Sequence, residues 1–179
     1  MLSQHTTIME TENQTDTSSF YKLCNNWTLW AHLPHNIDWS LTSYIPIFTY
    51  ETIEETIAIT ETLPSMLIEK CMFFMMKKGI NPTWEDPKNR NGGCFSYKVS
   101  NKNVAKSWSE LTYRIVGGSI STKPDFVKCV TGITISPKKH FCIIKIWMTN
   151  CNYQNPKDIS PIKFLQSQGC LFKKHTPEY

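Results

Sequence analysis

Short apolar runs separated by polar, turn-forming stretches divide this chain into seven predicted strands. The runs from Trp27 to Leu33 and from Cys71 to Lys77 are typical: each is largely apolar and is bounded by Pro, Gly, Asn or polar residues. The full set covers residues 27–33, 43–49, 71–77, 94–100, 127–135, 141–149 and 171–175. Seven strands predict one sizeable sheet.

Two longer segments between these strands have the period and the end signals of helices. Thr52 and Glu55 have the spacing of a capping box, and the apolar positions after them continue to Pro64. Asn103 is the expected N-cap of the second helix, whose apolar residues recur at helical spacing until the glycine pair at 117–118 ends it.

A shorter third helix is predicted near the C-terminus, with Ser160 as N-cap, Pro161 at the first helical position and Gly169 just past the end. Strands mixed with three one-sided helices indicate an α+β fold. We expect a curved, largely antiparallel sheet of about seven to eight strands, backed on its convex face by the three helices. The concave face is then free for a ligand.

The chain is expected to form one domain over residues 21–179, preceded by a disordered tail. Residues 1–20 are rich in Thr, Ser, Gln, Asn and Glu, and they cannot offset their ordering entropy by burial. No signal peptide and no apolar run near the roughly 20 residues of a membrane span is present. The seven cysteines form no C-x-x-C pair, so neither disulfides, a metal site nor a cofactor is expected, and a reducing cytoplasm fits best.

The charge of the chain is mildly basic, with a net value of +4. This favours contact with a few phosphates over grip on a long duplex. Seventeen of the nineteen basic residues are lysine, and isoleucine (18) outnumbers leucine (10). The bias is typical of an AT-rich genome and would suit a parasite or a large DNA virus. It also means that phosphates would meet lysine point charges rather than arginine forks.

The six tryptophans fall into different environments. Trp27 and Trp30 bracket an apolar strand and Trp108 lies on the apolar stripe of the second helix, so these three are interpreted as core residues. Trp39 and Trp84 instead lie in loops of polar and turn-forming residues. A large aromatic in such a loop is either an anchor folded back onto the domain or an exposed platform for a ligand.

The residues around Trp84 favour the platform. Glu85 follows it directly, and a carboxylate beside a stacking ring can accept hydrogen bonds from the edge of a guanine base. The alternative is that Glu85 and Asp86 form a solvated acidic loop paired with Lys88 and Arg90. Spacing alone does not separate the two.

A basic turn is predicted between the last two long strands, where Lys138, Lys139 and His140 could meet phosphates. The alternative is an ordinary solvated turn. No Ser/His/Asp or Cys/His pairing, phosphate-binding loop or H-E-x-x-H helix occurs in the sequence. We therefore expect a binding protein and not an enzyme.

Five stretches together resemble the eukaryotic translation initiation factor 4E family of messenger RNA cap-binding proteins. They are NNWTLW (25–30), TYETIEE (49–55), GINPTWEDPKNRNGG (79–93), SWSEL (107–111) and IKIWMTNC (144–151). The third is the most specific of them. The resemblance implies an α+β cup that holds the 7-methylguanosine base on its concave face.

The resemblance also implies roles for individual residues. Trp39 and Trp84 would sandwich the base, Glu85 would pair with its edge, and Trp147 would touch its methyl group. The basic turn at 138–140 would contact the cap phosphates. One basic phosphate-contacting position of the family is Ile143 here, which departs from the family pattern.

On the convex, helical face the resemblance implies a docking site for a scaffold protein of the initiation factor 4G type. The residues expected there are Leu23, Ile53, Ile57 and Trp108. Ile57 stands where the family has a tryptophan, and Tyr21 to Leu23 replace a His-Pro-Leu run. Outside that complex a monomer is expected.

Three functions remain open at this stage. The first is an initiation factor that recruits capped messenger RNA through its partner. The second is a cap-binding translational repressor, which Ile57 keeps open. The third is an interaction module of the same fold that no longer binds the cap, against which Trp39, Trp84 and Glu85 argue.

Overall fold

Seven antiparallel strands form a single curved sheet in the computed structural model of the chain, which describes residues 20–177. The strands are β1 (Lys22–His32), β2 (Tyr44–Thr52), β3 (Met72–Lys77), β4 (Gly93–Ser100), β5 (Val130–Pro137), β6 (Phe141–Met148) and β7 (Leu171–Lys174). Their order across the sheet is β2-β1-β3-β5-β6-β4-β7. The predicted α+β class is confirmed, while the predicted tail lies, except for Phe20, outside the described residues.

Four α-helices accompany the sheet: α1 (Ile53–Thr62), α2 (Ser65–Lys70), α3 (Asn101–Val116) and α4 (Pro124–Cys129). The predicted capping box of α1 is present. The Thr52 hydroxyl accepts a hydrogen bond from the Glu55 amide at 3.2 Å, and the Glu55 carboxylate accepts one from the Thr52 amide at 3.0 Å. No helix among residues 20–177 has the length and apolarity needed to cross a bilayer.

Helix α3 ends as predicted but begins earlier. Its C-cap is Gly117, whose amide donates to the Tyr113 carbonyl at 2.9 Å. Its N-cap is Ser100 and not Asn103, because β4 continues to Ser100 and the chain turns into the helix without an intervening loop.

Two local predictions were wrong. The third helix does not form: Phe164 adopts a left-handed φ of 69° and Ile162 pairs with Leu165 in a tight turn, so these two apolar side chains are buried by a turn instead of a helical stripe. The fifth strand begins at Val130 and not at 127, since Pro124 starts helix α4 at a position that proline favours.

Strand β3 contributes side chains to both faces of the sheet. Phe73 and Met75 point into the main core under the helices, where Trp108 of α3 is also buried. Phe74 and Met76 alternate to the opposite face, since successive side chains of a strand point to opposite sides. There they join a smaller buried cluster that also contains Tyr44, Cys94 and Trp147. This aromatic cluster forms the floor of the face that the helices leave open.

Candidate functional site

The open face of the sheet holds a pocket of about 500 Å³. Four predicted ligand-contacting residues line it together: Trp39, Trp84, Glu85 and Trp147. The remaining wall includes Tyr44, Met72, Phe74, Pro82, Thr83, Thr134, Ser136, Lys145 and Thr176. Residues that are far apart in the sequence are thus gathered around one aromatic pocket.

Trp39 stands at the pocket edge with one ring face covered. Its ring stacks on that of His32, with centroids 4.2 Å apart and planes only 3° from parallel. His32 is buried, and its Nε2 lies 2.8 Å from the Asp38 backbone carbonyl, which ties the loop to β1. The Asp38 carboxylate accepts bonds from the Ser40 amide and hydroxyl, and these lower the Asp38 pKa. Trp39 remains 55% exposed, so its second ring face is available to a ligand.

The loop at 79–92, which carries Trp84, is organised from inside by Asp86. The Asp86 carboxylate is buried and accepts hydrogen bonds from the backbone amides of Asn81 and Lys88, each at 2.8 Å. Asp86 therefore shapes the loop and does not belong to a solvated acidic cluster, which corrects that part of the alternative interpretation. Glu85, next to it, is exposed at the pocket.

Two further residues close this loop against the sheet. The Asn89 side-chain amide donates to the Asn81 and Thr83 carbonyls at 3.0 and 2.9 Å. Gly92 passes so close to β6 that a Cβ atom would lie 1.7 Å from the Met148 carbonyl oxygen. Only glycine fits this approach, which explains the second residue of the NGG stretch.

The ring of His175 packs against that of Trp84. The two rings are nearly parallel, at 13°, with centroids 5.4 Å apart. His175 Nδ1 lies 2.8 Å from the Asn89 carbonyl oxygen and therefore donates to it, while its buried Nε2 has no hydrogen-bond partner among the described residues. Sequence reasoning missed this role because the contact joins the residue after β7 to a loop far away in the sequence. Trp39 and Trp84 thus each pack against a buried histidine, and the His175 ring also lies 4.9 Å from that of Trp147.

Burial lowers the pKa of His175, and nearby Lys145 lowers it further, while the bond to Asn89 and the charge of Glu85 oppose them. The folded state therefore favours the neutral imidazole. With an unfolded value near 6.5, this stabilisation is fully present above that pH and is lost as the pH falls through the lower folded pKa.

We expect the free energy of unfolding to decline as the pH falls below about 6.5, with His175 contributing at most about 1.4 kcal/mol per pH unit. Denaturant titrations at several pH values should show a shallower decline in His175→Phe. His140→Ala, in an exposed turn, is the matched control and should keep the slope of the unmodified chain. An unchanged slope in His175→Phe would contradict the assignment.

Tyr44 lies beside Glu85 at the pocket wall. Burial, with a smaller contribution from the Glu85 charge, raises the pKa of Tyr44 to about 12. Its phenol therefore stays protonated at neutral pH, and Glu85 is the anionic group of the pocket lining.

The predicted phosphate-binding residues lie outside the pocket. Lys138, Lys139 and His140 form the exposed turn between β5 and β6, closed by the Lys138 amide donating to the Phe141 carbonyl at 2.8 Å. None of the three is part of the pocket wall that the described residues form. Their contact with phosphates stays a prediction.

Lys145 is the lysine that lines the pocket, and sequence analysis did not select it. Its ammonium lies 5.8 Å from the Trp84 ring centroid. The signal was available, since Lys145 precedes Trp147 by two residues on β6 and must therefore share its face.

The helical face carries a second, larger cavity of about 1000 Å³ between β1, α1 and the end of α3. Leu23, Ile53 and Ile57 line it, and Ile57 is 48% exposed; their contact with a partner stays a prediction. Trp108 does not line it, because its ring is only 2% exposed and belongs to the main core. Trp108 is therefore unavailable to a partner, contrary to its predicted place in this set.

No group of three or more His, Cys, Asp or Glu side chains suited to a metal ion occurs within residues 20–177. By its fold and its cavities the chain is an α+β domain with an aromatic pocket on one face of its sheet and an apolar groove on the other.

Residues 22–175 match the family model described as Eukaryotic initiation factor 4E, and the chain belongs to this family. It is 32% identical to Eukaryotic translation initiation factor 4E-2 of Schizosaccharomyces pombe over 165 residues, which cover 89% of this chain and 66% of the relative. It is 36% identical over 64 residues to a factor 4E homolog of Acanthamoeba polyphaga mimivirus, covering 36% of this chain and 24% of the relative. The match thus spans slightly under two thirds of the length of the S. pombe relative and 24% of the mimivirus relative.

Solved structures share the fold. A schistosome factor 4E complexed with m7GpppG and 4E-BP superposes with a TM-score of 0.66 at 26% identity, covering 74% of each chain. The Ascaris suum factor 4E-3 complexed with the m7G cap gives a TM-score of 0.65 at 19% identity over 75% of this chain and 76% of that one. At 19% identity, the similarity to the Ascaris structure shows a shared fold only.

Proposed function

We propose that this chain binds the 7-methylguanosine cap of messenger RNA in the pocket between Trp39 and Trp84 and acts in translation initiation. The observation that carries the proposal is the pair of histidine-backed tryptophans at one pocket with Glu85. The similar schistosome factor 4E, which is complexed with m7GpppG, adds support.

The proposed selectivity comes from the charge of the ligand. Methylation at N7 makes the guanine ring cationic, and a cation between two indole faces gains about 1–3 kcal/mol over a neutral base. Because Trp39 packs against His32 and Trp84 against His175, both indole rings are held in place before the ligand arrives. Such preorganisation lowers the entropy cost of binding.

Glu85 and Trp147 complete the proposed base site. The Glu85 carboxylate would accept two hydrogen bonds from the N1–H and exocyclic amine of guanine. Trp147, on the pocket wall and nearly buried, would contact the methyl group. The turn at 138–140 and Lys145 are the proposed sources of positive charge for the cap phosphates.

The proposal includes no catalytic step: the chain would hold its ligand and pass it to a partner. The groove lined by Leu23, Ile53 and Ile57 would receive an amphipathic helix of a scaffold protein of the initiation factor 4G type. The schistosome structure, which contains 4E-BP, supports a protein partner. We place this activity in the cytoplasm, with the chain monomeric outside that complex.

A translational repressor is the second candidate function, and Ile57 at the groove favours it because an aliphatic side chain offers a smaller hot spot than tryptophan. Capped-RNA pull-downs from cells expressing the tagged chain would separate the two. Co-purification of a scaffold factor supports the initiator, whereas capped RNA recovered without one supports the repressor.

The test of cap binding is a tryptophan-fluorescence titration of the unmodified chain with 7-methyl-GTP and with GTP. Stacking on Trp39 and Trp84 should quench emission, and the methylated ligand should bind roughly 5- to 150-fold more tightly, the equivalent of about 1–3 kcal/mol. Equal and weak responses to both ligands would reject cap binding and favour an interaction module of the same fold.

A further inference from the structure

Strands β4, β6 and β7 present basic and no acidic side chains on the open face of the sheet. The residues that share this face, by alternation and by cross-strand register, are Cys94, Ser96, Lys98, Ser100, Phe141, Ile143, Lys145, Trp147, Leu171 and Lys173. Lys98, Lys145 and Lys173 are the charged members, and we refer to these three as the lysine patch.

None of the three lysines of the patch forms an ion pair with a carboxylate of the described residues. The four ion pairs among residues 20–177 involve other cations. The Lys98 ammonium instead lies 4.4 Å from the Phe141 ring centroid. Lys145 and Lys173 both oppose the increase that burial causes in the Cys94 pKa, so both charges act on the same part of the face.

The lysine patch is continuous with the pocket. Lys145 lines the pocket and pairs with Ser96 on β4, while Lys98 lies two residues along that strand. Lys173 on β7 pairs with Cys94, whose other neighbour is the pocket residue Trp147. Since neighbouring strands are about 4.8 Å apart, the patch extends roughly 10 Å sideways from the pocket wall.

An aromatic ring accompanies the charges. Phe141 is partly exposed on the same face beside Lys98. Exposed aromatic rings interleaved with lysines suit single-stranded nucleic acid, because bases stack on the rings while ammonium groups meet phosphates. Three lysines are too few to hold a long duplex against salt.

We infer that the RNA segment following the cap crosses β4 and β7 over Lys98 and Lys173, with Lys145 at the junction with the pocket. The inference rests on the proposed cap-binding function and deepens it. It assigns to the chain a sequence-independent affinity for the first nucleotides of the message, because phosphate contacts carry no base information.

The test compares two ligands on two variants. Affinities for 7-methyl-GTP and for a capped single-stranded RNA of about ten nucleotides are measured by fluorescence for the unmodified chain and for Lys98→Ala/Lys173→Ala. The control is Lys102→Ala/Lys106→Ala, which removes the same charge from exposed positions of α3. Circular dichroism and thermal melts establish that all three chains are folded.

The unmodified chain should bind the capped RNA about tenfold more tightly than 7-methyl-GTP. In the variant Lys98→Ala/Lys173→Ala the affinity for the capped RNA should fall about 5- to 10-fold, while the affinity for 7-methyl-GTP should stay the same. The slope of log affinity against log salt should fall by about 1.4, the value for two phosphates of a single strand. The control variant should behave as the unmodified chain.

The contrary outcomes are separable. The RNA path is rejected, and cap binding stands, if the unmodified chain binds 7-methyl-GTP and the capped RNA with equal affinity. The same holds if the control variant loses as much affinity for the capped RNA as the patch variant does. An equal loss on both ligands would place the two lysines on the triphosphate and also reject the path. Failure of the unmodified chain to bind 7-methyl-GTP would instead reject the proposed function itself.

Discussion

Trp84→Ala should reduce the affinity for 7-methyl-GTP by about 100-fold. The substitution removes one of the two proposed stacking faces, worth about 1–3 kcal/mol for a base, and with it half of the cation-π attraction that favours the methylated ring. The loss should therefore be larger for 7-methyl-GTP than for GTP. Fluorescence titration with both ligands measures both effects, using the quenching that remains at Trp39.

A conservative variant separates stacking from structure. Trp84→Phe keeps an aromatic ring against His175, whose packing with Trp84 is nearly parallel, but offers a weaker quadrupole to a cation. The affinity of Trp84→Phe for 7-methyl-GTP should lie between that of the unmodified chain and that of Trp84→Ala. Binding of 7-methyl-GTP by a folded Trp84→Ala at unmodified affinity would mean that the cation is held elsewhere.

Glu85→Gln should reduce the affinity for 7-methyl-GTP by roughly 10- to 150-fold. The glutamine side chain is nearly isosteric with glutamate but presents one acceptor and one donor group, so its NH₂ opposes a donor on the guanine edge. Losing a hydrogen bond to a charged group costs about 1.5–3 kcal/mol, and the cationic base also loses a nearby negative charge. This change should weaken GTP binding as well, because both bases share the N1–H and amine.

Glu69→Gln is the matched control for Glu85→Gln, since it makes the same change on helix α2 of the helical face. It should leave both affinities as they are. If Glu85→Gln is equally silent, Glu85 belongs to the solvent-facing part of its loop, as in the alternative interpretation. Asp86 is unsuitable for this comparison because its buried carboxylate holds the loop backbone.

The proposed cap-binding and partner-binding sites lie on different faces of the sheet. The aromatic pocket and the groove at Ile53 and Ile57 lie on opposite sides of one sheet, so a cap and a protein helix could be bound at the same time. Substitutions at the groove should therefore change partner binding and leave cap affinity alone. That separation makes the choice between initiator and repressor a question about the groove.

Local sequence patterns predicted much of the fold. The capping box of Thr52 and Glu55 and the glycine at position 117 act within a few residues of the chain, so reading the sequence was enough to find them. The alternation of Phe73 to Met76 across two faces follows from strand geometry alone. The pocket residues Trp39, Trp84, Glu85 and Trp147 were selected from loop composition and from the family resemblance.

Other features depended on segments that meet only after folding. The packing of His175 on Trp84 and the position of Lys145 beside the same ring are contacts between residues far apart in the sequence. The Asp86 carboxylate acts within its own loop, but only the folded path of that loop turns it inward onto the Asn81 and Lys88 amides. The prediction of the third helix was wrong because Ile162 and Leu165 pack into the main core from a turn and not from a helical stripe. The strands, the first two helices and the aromatic ligand candidates could be predicted because their signals lie within a few residues of the chain. The groups that pack against these aromatic rings could not be predicted, because strand order across the sheet, not distance along the chain, makes them neighbours.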